Sequence, residues 1–429
     1  MVEPIAKASN QYGTGEQRVA MLFREFLETL ESKEGPYPYL TTQYESEGGE
    51  SNQELSAMFP PPTLALRNDF PVKPRLMGNL VLDQVNLWIG ISKDGSSSGL
   101  HHDFHDNLYC LLQGRKRFVL YPPSSSEHLY PNGKIDTVHS NGLISYQHLP
   151  VRADGLTPFD AAEHHLAIAK ARLDAGLRRT AKPETVSKLK KEYKKARKVW
   201  IVAQGESTAV DEGERDSDDA DVILRKLEAE EHRSGKGRKG ASPNRSTRAG
   251  SKSNDEEWGG VLSPTTIDPA PTSTTPSDPS SFSRISTPRL HAHLNLSTTA
   301  INPSPVPGQY PDLIKAEKPY VVELQPGEML HLPASWWHEV TSTGTTLASE
   351  APHVAFNYWF HPPDLSNRLF DEPYSDQVLW SYLRKKVRKL TSKQKWKPEW
   401  RRKRERGEGE VNTSVKKRRI NRNAASVAG

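Results

Sequence analysis

Apolar residues form short runs, separated by polar positions and turns, over four stretches of the chain, which is typical of β-strands. These stretches are 80–92, 108–123, 319–342 and 353–363. Glycine-containing turns interrupt them, and the turn at Gly114 in "LLQGRKRF" predicts a β-hairpin. Short strands joined by tight turns, with few long helices between them, favour a barrel or a sandwich.

Helical patterns flank and interrupt the strand stretches. Residues 15–33 place apolar side chains at i, i+3, i+4 and i+7, which predicts an amphipathic helix. The segments 159–177 and 183–204 are helical by propensity, and their polar excess predicts exposed or weakly docked helices. A short helix is predicted at 221–233, and a longer one at 375–390.

A polar tract separates the two groups of strands. Residues 234–306 are rich in Ser, Thr, Pro and Gly and cannot bury enough apolar surface to offset chain entropy, so we predict disorder there. The prediction is therefore one β domain that is split by an insertion. Its parts are residues 1–150 and 308–365 for the two halves of the barrel, 151–307 for the helical and then disordered insertion, 366–395 for a C-terminal helix and 396–429 for a disordered basic tail.

The composition of the chain indicates one folded core rather than several. Only 34% of the 429 residues are hydrophobic and 33 are prolines, which is typical of a chain with a large disordered share. Cys110 is the single cysteine, so the chain can form neither a disulfide framework nor a Cys-based zinc site, which suits a reducing compartment. The apolar runs are too short to cross a bilayer, so no membrane contact is predicted.

Positive charge is concentrated near the C-terminus, although the formal net charge of the whole chain is only +5. Dense basic clusters occupy 384–389, 401–406 and 416–419, and the last two have the spacing of a bipartite nuclear import signal. They predict nuclear localisation, with a cytoplasmic location as the alternative, and they permit contact with nucleic acid or chromatin. The competing interpretation is a solvated tail without a binding partner.

The stretch "GLHHDFHDN" at 99–107 concentrates histidine and aspartate, which are rarely buried unless they are paired. On a strand, His101 and Asp103 would share one face because they are two positions apart. A second histidine would complete a 2-His-1-carboxylate facial triad, which leaves coordination positions of Fe(II) open. His338, which follows a Pro-Gly turn and an apolar strand, is the candidate. A lone His-x-Asp is more often a solvated turn, so the metal-site hypothesis depends on the distal histidine.

Four segments together resemble one known family. They are "HHD", "NLYCLLQGRKRFVLYPP", "ELQPGEMLHLPASWWHEV" and "FNYWF". They are similar to the jumonji-C (JmjC) domain family in its cupin-like branch of Fe(II)- and 2-oxoglutarate-dependent oxygenases, and most of all to small JmjC-only protein hydroxylases. The resemblance covers 35–150 and 308–365. It implies a mainly β double-stranded β-helix, which is a jelly-roll or cupin barrel, with flanking helices and a long, largely disordered insertion.

The resemblance also implies roles for individual side chains. His101, Asp103 and His338 match the iron ligands. Lys116 matches the lysine that pairs with the distal carboxylate of 2-oxoglutarate, and strand alternation separates it from its charged neighbours. The remaining matches are polar side chains, namely Tyr109, Ser98 and Tyr39 for binding the same carboxylate, and Asn107 and Asn357 for lining the iron site.

The implied reaction consumes 2-oxoglutarate and O2, releases succinate and CO2, and hydroxylates a substrate C–H bond. A protein side chain is the leading substrate class, because no chromatin-reading module is visible in the sequence. The alternatives are an N-methyl-lysine demethylase with the same chemistry, a tRNA-modifying hydroxylase and a non-catalytic cupin scaffold. The triad and Lys116 argue against the scaffold. Trp380 and Tyr382 could pack on the barrel or on a second subunit, so a homodimer stays open.

Overall fold

A computed structural model describes residues 2–3, 19–32, 37–42, 53–92, 95–178, 182–207, 279–296, 310–344, 351–365 and 371–392. The strands are β1 (Val2–Glu3), β2 (Tyr39–Thr41), β3 (Leu82–Gly90), β4 (Ser96–Ser97), β5 (Asp106–Gln113), β6 (Arg115–Tyr121), β7 (Ile135–Val138), β8 (Ile144–Tyr146), β9 (Tyr320–Leu324), β10 (Met329–Leu332), β11 (Trp337–Thr343) and β12 (His353–Phe360). The α-helices are α1 (Phe23–Glu31), α2 (Gln53–Met58), α3 (Thr63–Leu66), α4 (Pro158–Arg178), α5 (Pro183–Ser207), α6 (Thr287–His293) and α7 (Gln377–Thr391). Short 3-10 helices cover Arg75–Met77, Pro123–His128 and Pro311–Lys315.

Two antiparallel sheets face each other and enclose an apolar core. The larger sheet has the strand order β1-β2-β3-β12-β5-β10, and the smaller has the order β4-β11-β6-β9. Tyr109 and Leu111 from the larger sheet share one buried cluster with Phe118 and Leu120 from the smaller sheet, which places this core between the sheets. Strands from both sides of the insertion are neighbours in both sheets. The predicted mainly β fold with flanking helices is thus confirmed.

Strand pairing decides which side chains of the smaller sheet point into the barrel. Residues directly opposite each other in antiparallel strands share a face. Lys116 is opposite Ser342, and Phe118 is opposite Val340. Because Phe118 belongs to the core between the sheets, Lys116 lies on the inward face as well. Arg117 lies on the opposite, outward face.

Gly114 carries the chain from one sheet to the other. β5 pairs with β10 and β12, whereas β6 pairs with β9 and β11, so the strands on the two sides of Gly114 are not partners of each other. The predicted β-hairpin is therefore wrong. Gly114 has a φ of 83°, which glycine adopts readily. A turn between paired strands and a corner between sheets carry the same glycine signal, so the local sequence does not distinguish them.

Helices α4 and α7 pack on the barrel together. Ala161 of α4 and Leu379 and Trp380 of α7 are buried in one apolar cluster with Val81. Helix α5 packs along α4, and it leaves large apolar side chains such as Val202 exposed. The predicted weak docking therefore describes α5 but not α4, because α4 buries apolar side chains such as Ala161, Ile168 and Leu173.

Residues 279–296 fold against the barrel, although they lie in the tract for which the sequence predicts disorder. The amide of His102 donates a hydrogen bond to the carbonyl of Ser281 over 3.0 Å. The amide of Ser283 donates to the carbonyl of Leu100 over 2.8 Å. The segment therefore pairs with the stretch of chain that contains two predicted metal ligands.

A few apolar side chains in and just before α6 anchor this segment. Ile285 and Leu290 are buried in the cluster that also contains Trp337. The prediction of disorder is wrong for these residues, because main-chain pairing and two buried side chains hold a segment whose average composition is polar.

Several predicted segments lie outside the described residues. They are the helix at 221–233, the rest of the tract predicted to be disordered, and the basic clusters at 401–406 and 416–419. Nuclear localisation and contact with nucleic acid therefore stay predictions. Among the described helices, none is both long enough and apolar enough to cross a membrane.

Candidate metal centre

The three side chains predicted as metal ligands lie together. One ligand atom from each of His101, Asp103 and His338 is within 4.8 Å of the other two. Nε2 of His338 is 3.8 Å from Oδ2 of Asp103, and the centroids of the two imidazole rings are 4.2 Å apart. This spacing suits one shared ion, because bonds of about 2 Å keep neighbouring ligand atoms about 3–4 Å apart.

The main chain fixes the two histidines against each other. The amide of His101 donates to the carbonyl of His338 over 3.0 Å, and the amide of His338 donates to the carbonyl of His101 over 2.7 Å. His338 belongs to β11, whereas His101 forms an isolated bridge rather than part of a longer strand. Instead of the predicted strand, His101 thus forms isolated bridges, one with His338 and one with Phe282.

Both imidazoles are oriented for binding a metal through Nε2. Nδ1 of His101 is 3.0 Å from the carbonyl of Gly99, and Nδ1 of His338 is 2.9 Å from the carbonyl of Trp336. A carbonyl can only accept, so we assign the proton to Nδ1 in each ring and the lone pair to Nε2. Burial lowers the pKa of each histidine to about 4, which keeps both rings neutral at neutral pH.

A chain of side-chain amides supports the carboxylate of Asp103. The indole of Trp88 donates to Oδ1 of Asn357 over 2.9 Å, and Nδ2 of Asn357 donates to Oδ1 of Asn107 over 3.0 Å. Burial raises the pKa of Asp103, while neighbouring imidazoles and a hydrogen bond from Asn107 lower it. Asn107 thus contacts the carboxylate, and Asn357 and Trp88 fix the orientation of the Asn107 amide.

Phe282 covers one face of the His101 ring, a contact that the sequence did not predict. The two ring centroids are 4.8 Å apart and the ring planes differ by 15°. Phe282 also forms an isolated bridge with His101 through the main chain. The sequence pattern gave only a weak indication of this contact, because Phe282 and Ile285 are isolated apolar positions in the polar stretch "PSSFSRIS".

A buried carboxylate on the outward face of β11 joins α6 to the metal centre. Glu339 follows His338 and accepts hydrogen bonds from Ser97 over 2.6 Å and from Thr341 over 2.9 Å. Its second oxygen is 3.1 Å from Nε2 of His291 in α6. Glu339 and His291 are both buried. A segment near the end of the predicted insertion is therefore attached to the residue beside a predicted metal ligand.

Lys116 is buried inside the barrel, where the sequence placed it. Its ammonium donates to Oγ of Ser342, and it lies 3.4 Å from Nδ1 of His353 and 5.7 Å from the centre of the Tyr39 ring. Burial lowers the pKa of Lys116 to about 7, as expected for an ammonium that has lost water. An anionic ligand would offset this cost, so the pocket fits a carboxylate.

His353 is a member of this pocket that the sequence reasoning missed. Its Nε2 is 2.9 Å from Oγ of Ser92, and its ring centroid is 5.8 Å from that of Tyr39. Burial and the nearby Lys116 hold the pKa of His353 well below its usual value, so the ring is neutral. His353 lies four positions before Asn357 on the same face of β12, and strand alternation could have found it.

Tyr109 and Ser98, whose hydroxyls are also predicted to bind the carboxylate, both belong to the barrel, and their contacts differ from each other. Tyr109 is buried on β5 with its ring edge-on to Phe118, at 5.1 Å between centroids. Burial raises the pKa of Tyr109, so the phenol keeps its proton. The hydroxyl of Ser98 donates to the carbonyl of Gly99 over 3.1 Å and accepts from the amide of Val340 over 3.1 Å. Its single proton is thus engaged by the main chain.

Comparison with known proteins covers most of the chain. A family described as "Cupin-like domain" matches residues 5–366. The JmjC domain-containing protein 4 of Schizosaccharomyces pombe is 37% identical over 388 residues, which is 88% of this chain and 76% of that protein. The chain belongs to the cupin-like JmjC family. JmjC proteins include Fe(II)- and 2-oxoglutarate-dependent oxygenases, and the triad of this JmjC protein is a donor set of the required kind.

Two further JmjC relatives have names that state an activity, and their matches are shorter. The Lysine-specific demethylase JMJ31 of Arabidopsis thaliana is 32% identical over 101 residues, which is 24% of this chain and 17% of that protein. The Bifunctional peptidase and (3S)-lysyl hydroxylase JMJD7 of Homo sapiens is 43% identical over 42 residues, or 10% of this chain and 13% of that protein. This JmjC protein is therefore similar both to a demethylase and to a hydroxylase.

Proposed function

We propose that this JmjC protein is an Fe(II)- and 2-oxoglutarate-dependent oxygenase that uses O2 to hydroxylate a protein side chain. The observation that carries the proposal is the combination of a 2-His-1-carboxylate set with a buried lysine on the inward face of the same barrel. Neutral imidazoles and a carboxylate suit Fe(II), and a buried cation suits a dianionic cosubstrate. A scaffold protein would need neither feature.

His101, Asp103 and His338 would hold the iron, and their fit rests on the two free Nε2 lone pairs and on the supported carboxylate. When bound, the iron would supply O2 activation. This chemistry would couple two reactions, namely the oxidative conversion of 2-oxoglutarate into succinate and CO2, and the hydroxylation of a C–H bond. The protein contributes the orientation of the ligands. Asn107 supports the carboxylate, and main-chain carbonyls fix both imidazole rings.

The buried lysine would bind the distal carboxylate of 2-oxoglutarate. In its protonated form Lys116 offers a cation in a site from which water is largely excluded, where a charge pair is stronger than at the surface. Ser342 adds a hydroxyl beside the ammonium, and Tyr39 provides an aromatic wall. His353 stays neutral and adds no competing charge. These residues together would orient the cosubstrate relative to the metal.

The similarity to two named activities supports a protein side chain as the substrate. The name of each relative includes an activity on lysine, as a lysine-specific demethylase in one and a (3S)-lysyl hydroxylase in the other. Hydroxylation is the proposed outcome. Demethylation of N-methyl-lysine is the second candidate, because the relative JMJ31 carries that activity in its name.

Succinate release from the full-length protein tests the oxygenase proposal. We expect succinate to form with protein substrates only when Fe(II), 2-oxoglutarate and O2 are all present. Activity should be lost in His101→Ala and should fall strongly in Lys116→Ala. Arg115→Ala is the matched control, because Arg115 adjoins Lys116 but lies half exposed in an ion pair with Glu323. Undiminished, iron-dependent succinate release by His101→Ala would refute the proposal.

Mass spectrometry of the modified substrate distinguishes the two outcomes. A gain of one oxygen atom on a side chain supports hydroxylation, and a loss of one methylene group supports demethylation. If modified nucleosides are found in tRNA and no modified protein is found, the substrate is tRNA, and the protein is a tRNA-modifying hydroxylase.

A further inference from the structure

A second group of two histidines and one aspartate lies at the end of the larger sheet. Asp83 is on β3, His105 directly precedes β5, and His361 directly follows β12. These strands are neighbours in the order β3-β12-β5, which brings the three side chains together from distant parts of the chain. One ligand atom from each is within 4.8 Å of the other two. The group shares no residue with the iron triad.

Both imidazoles present Nε2 to the carboxylate of Asp83, but to different oxygens. Nε2 of His105 is 3.3 Å from Oδ2, and Nε2 of His361 is 3.5 Å from Oδ1. Charge-assisted hydrogen bonds are shorter, at about 2.7–2.9 Å. Neighbouring ligand atoms on a tetrahedral ion with bonds of about 2.1 Å are about 3.4 Å apart, which matches both distances. The corresponding nitrogen–oxygen distance in the iron triad is longer, at 3.8 Å.

His361 is held in place by the fold, yet its ring lacks good polar partners. Its amide donates to the carbonyl of Val81 over 3.0 Å, and its carbonyl accepts from the hydroxyl of Tyr374 over 2.8 Å. Burial lowers the pKa of His361, which favours the neutral ring. Its Nδ1 is buried without a hydrogen-bond partner among the described residues. An ion at Nε2 would give this ring the strong interaction that the protein alone does not provide.

The other two side chains are oriented and accessible to an ion. The ring of His105 stacks on Trp359, with 5.1 Å between centroids and 10° between planes. The side chains of Asp83 and His105 are 27% and 15% exposed, so an ion can enter from solvent while protein covers most of the site. A rigid ring and a partly exposed carboxylate are compatible with an open coordination position for water.

We propose that Asp83, His105 and His361 bind a divalent transition-metal ion of the Zn²⁺ type, separately from the iron centre. Two imidazoles and one carboxylate are donors that zinc accepts, with water in the remaining position. The ion would join β3, β5 and β12 at the end of the sheet where β5 begins, a few residues after Asp103. Its role would be to stabilise this part of the barrel.

Zinc stoichiometry tests this site directly. Full-length protein is stripped with a chelator, dialysed against excess ZnCl2 and analysed by inductively coupled plasma mass spectrometry. The wild type should hold about two zinc ions per chain, since zinc also fits the iron triad. His101→Ala and Asp83→Asn should each hold about one, and the double variant should hold close to none. Asp83→Asn keeps the shape of the side chain while removing its charge.

His331→Ala is the matched control. Nε2 of His331 is 3.6 Å from Oδ2 of Asp106, a similar pair that has no third ligand among the described residues. This variant should keep the zinc content of the wild type. No zinc in a folded His101→Ala protein, or an Asp83→Asn protein that holds as much zinc as the wild type, would each overturn the proposal. If Asp83→Asn does not fold by circular dichroism, the wild-type and His101→Ala counts decide the question.

Discussion

Phe282 stacks on the imidazole of His101, with 4.8 Å between ring centroids and 15° between ring planes. The main chains of the two residues also form a bridge. A segment near the end of the predicted insertion therefore supports a candidate iron ligand that precedes the insertion. Helix α6 of the same segment contacts Glu339, which adjoins the distal ligand His338. The metal centre thus depends on three separate parts of the chain.

Phe282→Ala should weaken metal binding. Removing the ring exposes His101 and gives its imidazole more freedom, so we expect roughly a 10-fold loss of Co(II) affinity, typical of a group that supports a metal ligand. Anaerobic titration with Co(II), followed by its visible absorption, measures the change. Phe282→Tyr keeps the aromatic face and should retain the affinity. Equal affinities of Phe282→Ala and the wild type would show that the stacking has no role in positioning His101.

The affinity for 2-oxoglutarate should fall as the pH rises above about 7. In the free protein the pKa of Lys116 is about 7, and a bound carboxylate raises it by favouring the ammonium. The complex then holds a proton that the free protein loses at higher pH, so binding takes up a proton. The Kd should approach a tenfold rise per pH unit between about pH 7 and pH 9.

Isothermal titration of the Mn(II)-loaded protein, in two buffers of different ionisation enthalpy, measures both the Kd and the proton uptake. Lys116→Met should bind 2-oxoglutarate weakly at every pH, without the pH dependence. A wild-type Kd that stays constant over this range would exclude Lys116 as the titrating partner of the cosubstrate.

Gly90→Ala should disturb the cosubstrate pocket while leaving the metal triad intact. A Cβ at Gly90 would lie 2.5 Å from Cδ2 of Tyr39, so the ring beside Lys116 must move. We expect roughly a 10-fold rise in the Kd for 2-oxoglutarate and unchanged Co(II) affinity. Gly205→Ala is the control, because a Cβ there meets nothing within 4 Å. Similar cosubstrate affinities in the two variants would argue against a role for Tyr39.

His291→Ala should lower the free energy of unfolding by about 2–3 kcal/mol, because it removes a partner from the buried carboxylate of Glu339. Urea denaturation, followed by tryptophan fluorescence, measures the loss. His293→Ala on the same helix is the control, since His293 is exposed. The double variant His291→Ala/Glu339→Gln should recover part of the loss. If His291→Ala were as stable as the control His293→Ala, α6 would not anchor this network.

Local patterns indicated a barrel or a sandwich and the candidate members of the triad, and the resemblance to the JmjC family favoured the barrel. Short apolar runs bounded by turns gave most of the strands, and the spacing of His101 and Asp103 indicated a common face. His338 and Lys116 were found because their motifs carry a recognisable order of residues. Each of these signals lies within about a dozen neighbouring residues, which is the range over which sequence patterns are informative.

Contacts between distant parts of the chain could not be predicted in the same way. Gly114 marks a turn, but only the pairing of the flanking strands shows that the turn joins two sheets. Phe282 reaches His101 from a tract whose composition is typical of disorder. The group around Asp83 forms only because β3, β12 and β5 become neighbours in the sheet.

A visible absorption spectrum of the anaerobic full-length protein, titrated first with Fe(II) and then with 2-oxoglutarate, examines the iron centre itself. His101, Asp103 and His338 should give a weak charge-transfer band that requires both additions and is lost in His338→Ala. A folded wild-type protein that shows no such band, or a His338→Ala protein with an undiminished band, would mean that these three side chains do not form the iron site.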